Sequence, residues 1–264
     1  MTKQIRALAR GLTVVNAINA APGPVSLGDL HKATGIDRAT LLRILATLDQ
    51  EGWIFRGMGD RLYRLAYKLH ELGEQVHIHD AIAQIAAPVL EQLQQELHWP
   101  CDISVFDGEG MAIIETSRSR SPFVLNREVI GYRPSMLKSA IGRAYLAYCD
   151  PRRRESILRR ARSQDNEEGR LAADSAYIER TLQDVRNRGF GMRDSSLMSL
   201  PADTLEEFSA MALPIIVQDD IQACLSFVWM KSAYTSPGIE DAFYQQLKPR
   251  ADTLAELFEE NGLY

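Results

Sequence analysis

The chain has 264 residues, of which 45% are hydrophobic and 25% charged, with a formal net charge of −5 at pH 7. This balance is ordinary for a globular protein, the length favours two domains, and no apolar run approaches the roughly 18 residues of a membrane-spanning helix. The three cysteines lie far apart among apolar neighbours and the first residues carry no signal-peptide pattern, so we expect reduced core cysteines in a cytoplasmic protein rather than a disulfide or metal framework.

A first helix is predicted over Ile5–Ala20, because apolar residues recur there at helical spacing. One face of this helix carries Ile5, Leu8, Leu12, Val15 and Ile18. The sequence Ala21-Pro22-Gly23-Pro24 follows and ends the helix, since proline cannot continue it.

The next segment, Ser26–Arg64, has the order of a winged helix-turn-helix. Gly35 separates two predicted helices, because glycine readily takes the left-handed conformation that ends a helix. Asp37 is suited to cap the second helix, since its carboxylate can accept free backbone N–H groups of the next turn. The apolar stripes are Leu27, Leu30 and Ala33 in the first helix and Leu41, Ile44, Leu45 and Leu48 in the second.

A two-stranded ribbon is predicted after these helices, with strands at Trp53–Phe55 and Leu62–Leu65 and a turn at Gly57–Asp60. A winged helix-turn-helix places one helix in the major groove of DNA, where side chains reach base edges, while other side chains hold phosphates. Thr40 is equally compatible with a half-buried structural role. The predicted DNA-binding residues are Arg38, Thr40, Leu42, Arg43, Arg56, Arg61 and Arg64.

Charge supports this interpretation. Residues 1–65 hold nine Lys and Arg against five Asp and Glu, a net charge of +4, so residues 66–264 carry −9 of the chain's total of −5. A basic N-terminal domain followed by an acidic remainder of the chain is typical of a DNA-binding protein with a regulatory domain. The alternative is a plain three-helix bundle with a solvated basic face, in which the wing arginines and Gly35 have no role.

The predicted domains are the winged helix-turn-helix at residues 1–65, a linker helix at 66–80 and a second domain at 81–264. The linker helix, Tyr67–His79, has an apolar stripe that a second copy of the chain would cover most simply. Asp80 is expected to cap the following helix, and Pro88 to kink or restart it. The linker stripe consists of Leu69, Leu72 and Val76.

The second domain is predicted to be α+β, with helices packed on an antiparallel sheet. The predicted strands are Cys101–Phe106, Met111–Thr116, Phe123–Leu125, Val129–Tyr132, Ala210–Val217 and Ala223–Met230. The predicted helices are Ser139–Tyr148, Pro151–Ala161, Ser175–Arg188 and Ile239–Glu260. The acidic cluster Asp165–Glu168 is expected to be a solvated loop.

Several motifs, taken together, resemble the IclR family of bacterial transcription regulators. They are Arg10-Gly11-Leu12, Thr34-Gly35-Ile36, Thr40–Leu48, Glu51-Gly52-Trp53, Ala87–Leu90, Gly142–Ala147, Arg188-Gly189-Phe190 and Ala212-Leu213-Pro214. Within the family, Trp99–Ser104 and Leu137–Ala140 are most similar to regulators of phenylpropionate catabolism. The resemblance implies dimers or tetramers, pseudo-palindromic operators and a GAF-like effector domain that binds a small organic acid.

The chain departs from the family pattern at three places. His31 stands where the family usually has alanine, at the contact between the two helices of the helix-turn-helix. Ala39 replaces a usual Ser or Thr on the DNA face, so one hydrogen-bonding contact is missing. Pro134 lies one residue before the family's usual proline, and Ser135 occupies that place.

An effector site is expected where the helix after Lys138 begins. Ser139 is suited to cap this helix, and the N–H groups of Ala140, Ile141 and Gly142 would attract a carboxylate. The family's ligand-contacting positions fall on Phe123, Asn126, Ala140, Ile141, Arg193, Ala210, Ser226 and Val228.

Arg193 stands where family members often have an acid, so it could pair with an acidic ligand. It could equally be a solvated loop residue beside Asp194. Phe123, Met192 and Trp229 could form an apolar wall for an aromatic ring, although Phe123 and Trp229 are also compatible with a core role.

No catalytic or metal-binding pattern is recognised. The histidines have neither triad nor metal spacing, and the glycines near residue 109 belong to a hairpin turn. The sequence therefore predicts a ligand-responsive DNA-binding regulator of a catabolic operon, without a cofactor, that senses a small carboxylic acid, aromatic in the favoured interpretation. Expected partners are double-stranded operator DNA, the acid and further copies of the chain, with RNA polymerase as a further candidate and no membrane.

Two alternatives stay open at this point. One is a constitutive DNA-binding protein whose second domain only oligomerises; a closed, wholly apolar pocket around Ser139 and Arg193 would favour it. The other is an enzyme built on a GAF-like domain, which turnover without DNA binding would favour.

Overall fold

The computed structural model describes residues 3–73, 77–122, 128–194, 208–234 and 238–264. The chain divides into two compact units, Met1–His77 and Ile78–Tyr264. No helix in these described ranges is both long enough and apolar enough to cross a membrane.

The first unit is a three-helix head with a two-stranded wing. Its elements are α1 (Arg6–Asn19), α2 (Leu27–Thr34), α3 (Arg38–Gln50), β1 (Ile54–Arg56), β2 (Tyr63–Leu65) and α4 (Lys68–Gly73). Its core contains Val14, Ile18, Val25, Leu30, Ile36, Leu41, Leu45, Ile54 and Tyr63. The predicted stripe of α1 is divided, because Ile18 is buried whereas Leu8 and Leu12 are 60% and 50% exposed.

The predicted turn chemistry between α2 and α3 is confirmed. Gly35 ends α2 in the left-handed conformation, with φ of +68°. The Asp37 carboxylate accepts the Thr40 backbone N–H at 2.9 Å and caps α3. A cap that the sequence analysis did not identify lies at the start of α2, where Ser26 and Asp29 form a reciprocal capping box.

The predicted linker helix is only partly seen. Helix α4 covers Lys68–Gly73, residues 74–76 (including Val76) lie outside the described part of the chain, and α5 (Ile78–Leu97) begins two residues before Asp80. The prediction that Asp80 caps a new helix is therefore wrong. Pro88 lies inside α5 and neither ends nor restarts it.

The second unit is α+β. After α5 come β3 (Cys101–Phe106), β4 (Met111–Thr116), α6 (Ala140–Tyr148), α7 (Pro151–Arg162), α8 (Glu167–Ala173), α9 (Ser175–Arg188), β5 (Gly191–Met192), β6 (Phe208–Val217), β7 (Asp220–Met230) and α10 (Ile239–Glu260). The described strands form one antiparallel sheet in the order β4-β3-β7-β6-β5.

Two hydrophobic cores lie on opposite faces of this sheet. Helices α6, α7 and α9 cover one face, whereas α5 and α10 cover the other. Side chains alternate between the faces along each strand. On β7, Cys224 and Val228 therefore belong to the α6 side, while Phe227 and Trp229 belong to the α5 side.

Two predictions for this unit are wrong, and one cannot be assessed. Val129–Tyr132 is a turn rather than a strand, with Gly131 at φ of +79°, although the Gly131 N–H bonds the Ile113 carbonyl at 2.8 Å. The predicted acidic loop starts helix α8, capped by Asn166, which accepts the Gly169 N–H at 3.0 Å. The predicted strand Phe123–Leu125 lies outside the described residues.

Candidate functional site

Helix α3 presents a polar, basic face on the side away from its buried leucines. Leu41 and Leu45 are buried, while Arg38, Leu42 and Arg43 are exposed. Thr40 is half-buried. In the described residues neither Arg38 nor Arg43 has an ion-pair partner. Both side chains are therefore available to phosphates or bases.

His31, which stands in place of the family's usual alanine, joins the end of α2 to the turn before α3. Its Nδ1 lies 2.8 Å from the Ile36 carbonyl oxygen, so Nδ1 carries the proton and donates. The side chain is half-buried. The end of α2 and the turn that leads into α3 are thus linked by a hydrogen bond that alanine cannot make.

Two of the wing arginines, Arg56 and Arg64, make contacts within the wing, whereas the third, Arg61, does not do so through its side chain. Arg64 forms an ion pair with Asp60, and this pairing lowers the pKa of the Asp60 carboxyl to about 2. The Arg56 Nε donates to the Arg61 carbonyl at 2.7 Å. The Arg61 side chain has no ion-pair or hydrogen-bond partner within the described ranges. Arg61 is therefore the wing cation most available to DNA.

A second group of predicted residues comes together on the α6 side of the large sheet. Ala210 and Val228 are paired across β6 and β7, and Ser226 faces the same side two residues away. Ala140 and Ile141 of α6 pack in the same core. The predicted residues Phe123 and Asn126 lie outside the described residues.

The first turn of α6 confirms Ser139 as its cap but corrects which amide it binds. The Ser139 Oγ accepts the Gly142 N–H at 2.9 Å, so this amide, predicted to be free, is satisfied. Ala140 and Ile141 are buried at 2% and 7% exposure. Their N–H groups have no acceptor in the described structure. Two unpaired donors at a helix N-terminus favour an anion.

A buried ion pair on this face was not identified from the sequence. The Asp102 carboxylate, 1% exposed, receives the Arg118 Nε at 3.0 Å and the Arg118 Nη2 at 2.7 Å. The Thr116 Oγ1 also donates to Asp102 at 2.6 Å. The available signal was an aspartate at an inward position of an alternating strand, which requires a buried partner.

Arg193 adds a second cation near this pair. Its backbone N–H bonds the Ala210 carbonyl at 2.9 Å, which extends the edge of the sheet by one residue. Loss of solvent lowers the pKa of Arg193, and the positive charge of Arg118 lowers it further. The adjacent Asp194 pairs with Arg143 at 2.6 Å. Within the described residues Arg193 has no ion-pair partner, so the cluster carries a surplus positive charge.

Ser104 is a further polar group on the same face. It follows Asp102 by two residues on β3 and is fully buried, and its Oγ has no hydrogen-bond partner in the described part of the chain. The α6 side of the sheet is therefore not wholly apolar.

The apolar wall was partly misassigned. Trp229 points to the α5 side of the sheet, where it stacks on Phe227 at 5.5 Å between ring centroids, so it is a core residue. Met192 packs against that same core.

Lys138 pairs with Glu167, and the Glu168 carboxylate accepts the Leu137 N–H at 3.0 Å.

The cysteines behave as core residues. Cys101, Cys149 and Cys224 are free and buried, and burial raises the pKa of each thiol. No group of three or more His, Cys, Asp or Glu in the described ranges is placed to hold a metal ion.

Comparison with known proteins gives the same family for both units. The profile of the IclR helix-turn-helix domain matches residues 7–56, and that of the bacterial transcriptional regulator IclR C-terminal matches residues 74–255. SauR of Cupriavidus necator, named as a probable transcriptional regulator, is 21% identical over 257 residues, which cover 96% of each chain. The Pca regulon regulatory protein of Pseudomonas putida is 26% identical over 190 residues, 72% of this chain and 64% of that protein.

Solved structures share the fold. The IclR protein of Thermotoga maritima gives a TM-score of 0.54 at 18% identity, covering 96% of this chain and 98% of that one. An IclR homologue from Microbacterium hydrocarbonoxydans, complexed with 4-hydroxybenzoate, gives 0.51 at 20% identity, covering 95% and 99%.

The matched profiles and relatives are DNA-binding transcription regulators, not enzymes, and the profiles extend over both units of the structure. The exposed basic face of α3 and the wing agree with that activity. The chain belongs to the IclR family of bacterial transcription regulators.

Proposed function

We propose that this regulator controls a catabolic operon in response to a small monocarboxylic acid, aromatic in character, bound on the α6 side of the large sheet. The observation that carries the proposal is the surplus cation Arg193, which is desolvated and lacks an acidic partner in the described residues. Arg193 is half-buried, so it carries part of the desolvation cost of a buried charge, and an anionic ligand offsets that cost.

The charge balance supports a single carboxylate. Asp102 neutralises Arg118 through two hydrogen bonds, which leaves Arg193 as one uncompensated charge. The unpaired N–H groups of Ala140 and Ile141 provide two further donors for the same anion. One carboxylate therefore satisfies the site, whereas a second would be buried without a partner.

The apolar surroundings support an aromatic skeleton. Ile141, Ala210 and Val228 supply aliphatic surface beside the polar groups. A solved relative binds 4-hydroxybenzoate, an aromatic monocarboxylate. Mostly apolar surroundings with a few convergent polar groups are typical of small-molecule sites.

For DNA, we propose that Arg38, Leu42 and Arg43 of α3 face the major groove, with Thr40 at its edge, and that the wing arginines lie along the phosphates. We further propose that the protein acts as a dimer or tetramer on a pseudo-palindromic operator.

The effector proposal is tested by thermal melting against benzoate, 4-hydroxybenzoate, 3-phenylpropionate, terephthalate, acetate and succinate. A ligand that binds only the folded state raises the melting temperature, by about 5 °C or more at 100 times Kd. We expect a saturable shift with an aromatic monocarboxylate, a smaller one with terephthalate, and no shift in Arg193→Met.

The matched control is Arg159→Met, an exposed arginine on α7 of the same unit. It should respond to the acid like the unmodified protein. If none of the acids shifts the melting temperature of a protein that still binds DNA, the proposal of a carboxylic-acid sensor is wrong, and the second unit either binds another class of ligand or serves only assembly.

A further inference from the structure

Met58, at the tip of the wing, is the most exposed large apolar side chain among the described residues. It is 97% exposed, against 70% for Tyr67, the next in order. Single exposed apolar residues are common on protein surfaces. Met58 differs from most of them because it lies at the end of a projecting ribbon, in the unit that binds DNA.

The turn that carries Met58 is held by its own hydrogen bonds. The Gly57 N–H donates to the Leu62 carbonyl at 2.9 Å, and the Arg61 N–H donates to the Gly57 carbonyl at 3.0 Å. The Leu62 N–H donates to the Asp60 carboxylate at 3.1 Å. The wing tip is thus a formed turn that presents Met58 outward.

The wing has the length to place Met58 beyond the groove that α3 occupies. Ile54 is anchored in the core at 1% exposure, and Met58 follows it by four residues. At about 3.3 Å per residue, the chain extends about 13 Å from that anchor. This reach is comparable to the width of the major groove, about 12 Å, so the tip is long enough to contact DNA beside the groove that α3 is proposed to occupy.

The chemistry of the tip fits the minor groove better than the phosphates. A methionine side chain gains nothing from a phosphate, whereas apolar side chains inserted between base steps of the minor groove unstack and kink DNA. Arg61, without a partner in the described ranges, supplies the positive charge beside it.

We propose that Met58 enters the minor groove next to the major-groove site of α3 and wedges against a base step, while Arg61 holds the flanking phosphates. The wedge makes the protein prefer an easily unstacked pyrimidine–purine step at a position where no hydrogen bond reads the sequence. The proposed wedge depends only on DNA binding and does not depend on the effector proposed above.

The test begins with selection of sites from a random duplex library by the full-length protein. Fluorescence anisotropy then measures binding of Met58→Leu and Met58→Gln to the selected duplex. A 2-aminopurine at the step under the wing reports unstacking, and end-to-end energy transfer reports bending. Met58→Gln should lose about tenfold in affinity together with the unstacking signal, while Met58→Leu retains both. Ile216→Gln, an exposed apolar residue of the second unit, is the control and should change neither.

Three outcomes would overturn the wedge. In the first, Met58→Gln binds, unstacks and bends DNA like the unmodified protein. In the second, it weakens selected and unrelated duplexes equally with no change in unstacking. In the third, it changes the oligomeric state measured by light scattering, which would assign Met58 to a contact between copies. Enrichment of no sequence by the unmodified protein would overturn both the wedge and base reading by α3.

Discussion

At the scale of single residues, the site on the large sheet is organised by charge. Asp102 and Arg118 are neutralised by each other, and Thr116 completes the hydrogen bonding of the carboxylate. Such a buried pair contributes little net stability over apolar residues of the same size, but removing one partner leaves a buried charge. In the proposed effector site, this pair fixes how much positive charge remains for a ligand.

Asp102→Asn tests this charge balance. The change leaves Arg118 and Arg193 both uncompensated, so the free energy of unfolding should fall by about 3–5 kcal/mol. Urea denaturation followed by circular dichroism measures the loss. Asp252→Asn removes the exposed partner of Lys248 and serves as the control, with an expected loss below about 1 kcal/mol.

The same variant should change ligand preference. With two surplus cations in Asp102→Asn, terephthalate should raise the melting temperature more than benzoate does, the reverse of the unmodified protein. Equal stability losses in Asp102→Asn and Asp252→Asn, together with an unchanged order of acids, would contradict the role given to Asp102.

At the scale of elements, helix α6 packs on one face of the sheet, and its first turn carries the unpaired amides of Ala140 and Ile141 that favour an anion. Its first turn approaches the preceding loop so closely that a Cβ on Gly142 would collide with the Met136 backbone. Gly142 therefore permits a close contact that no other residue allows without a shift of the helix.

Gly142→Ala should displace this first turn and destabilise the protein by about 1–3 kcal/mol, as overpacking does. The thermal shift with the carboxylic acid should shrink as well, because the amides of Ala140 and Ile141 move. Gly11→Ala is the matched control, since no atom lies within 4 Å of the added Cβ in α1. Alanine there should stabilise the helix by up to about 1 kcal/mol. A neutral Gly142→Ala would show that the loop yields without cost.

The elements show which features local sequence can predict. The ends of α10 and the cap of α6 follow from short-range patterns, and both are confirmed. The face of the sheet that Trp229 occupies was misassigned, because that depends on the phase of the strand relative to helices far away in sequence. The Asp102–Arg118 pair was missed for a similar reason, since Arg118 follows Thr116 by two residues and only the β3–β4 register places Thr116 opposite Asp102.

At the scale of the whole molecule, the chain consists of two compact units, and the boundary along the sequence falls between His77 and Ile78. The function proposed above requires the second unit to influence DNA binding by the first. A ligand shifts an equilibrium only by its difference in affinity for two states, so tight binding in the second unit is not by itself a signal. We expect the chain between Gly73 and Ile78, which joins the two units in sequence, to transmit that difference.

Any coupling between the effector site and DNA binding is reciprocal. If the acid identified by melting changes affinity for the selected duplex by some factor, the duplex must change affinity for the acid by the same factor. Anisotropy with and without the acid gives the first factor, and calorimetry with and without the duplex gives the second.

Insertion of Gly-Gly-Ser between Gly73 and His77 should reduce both factors towards one, because a flexible linker transmits no orientation. The insertion should leave acid affinity in the absence of DNA unchanged, since the residues of that site all lie in the second unit. Retention of the full coupling factor after insertion would mean that the signal passes by direct contact between the units rather than along the chain.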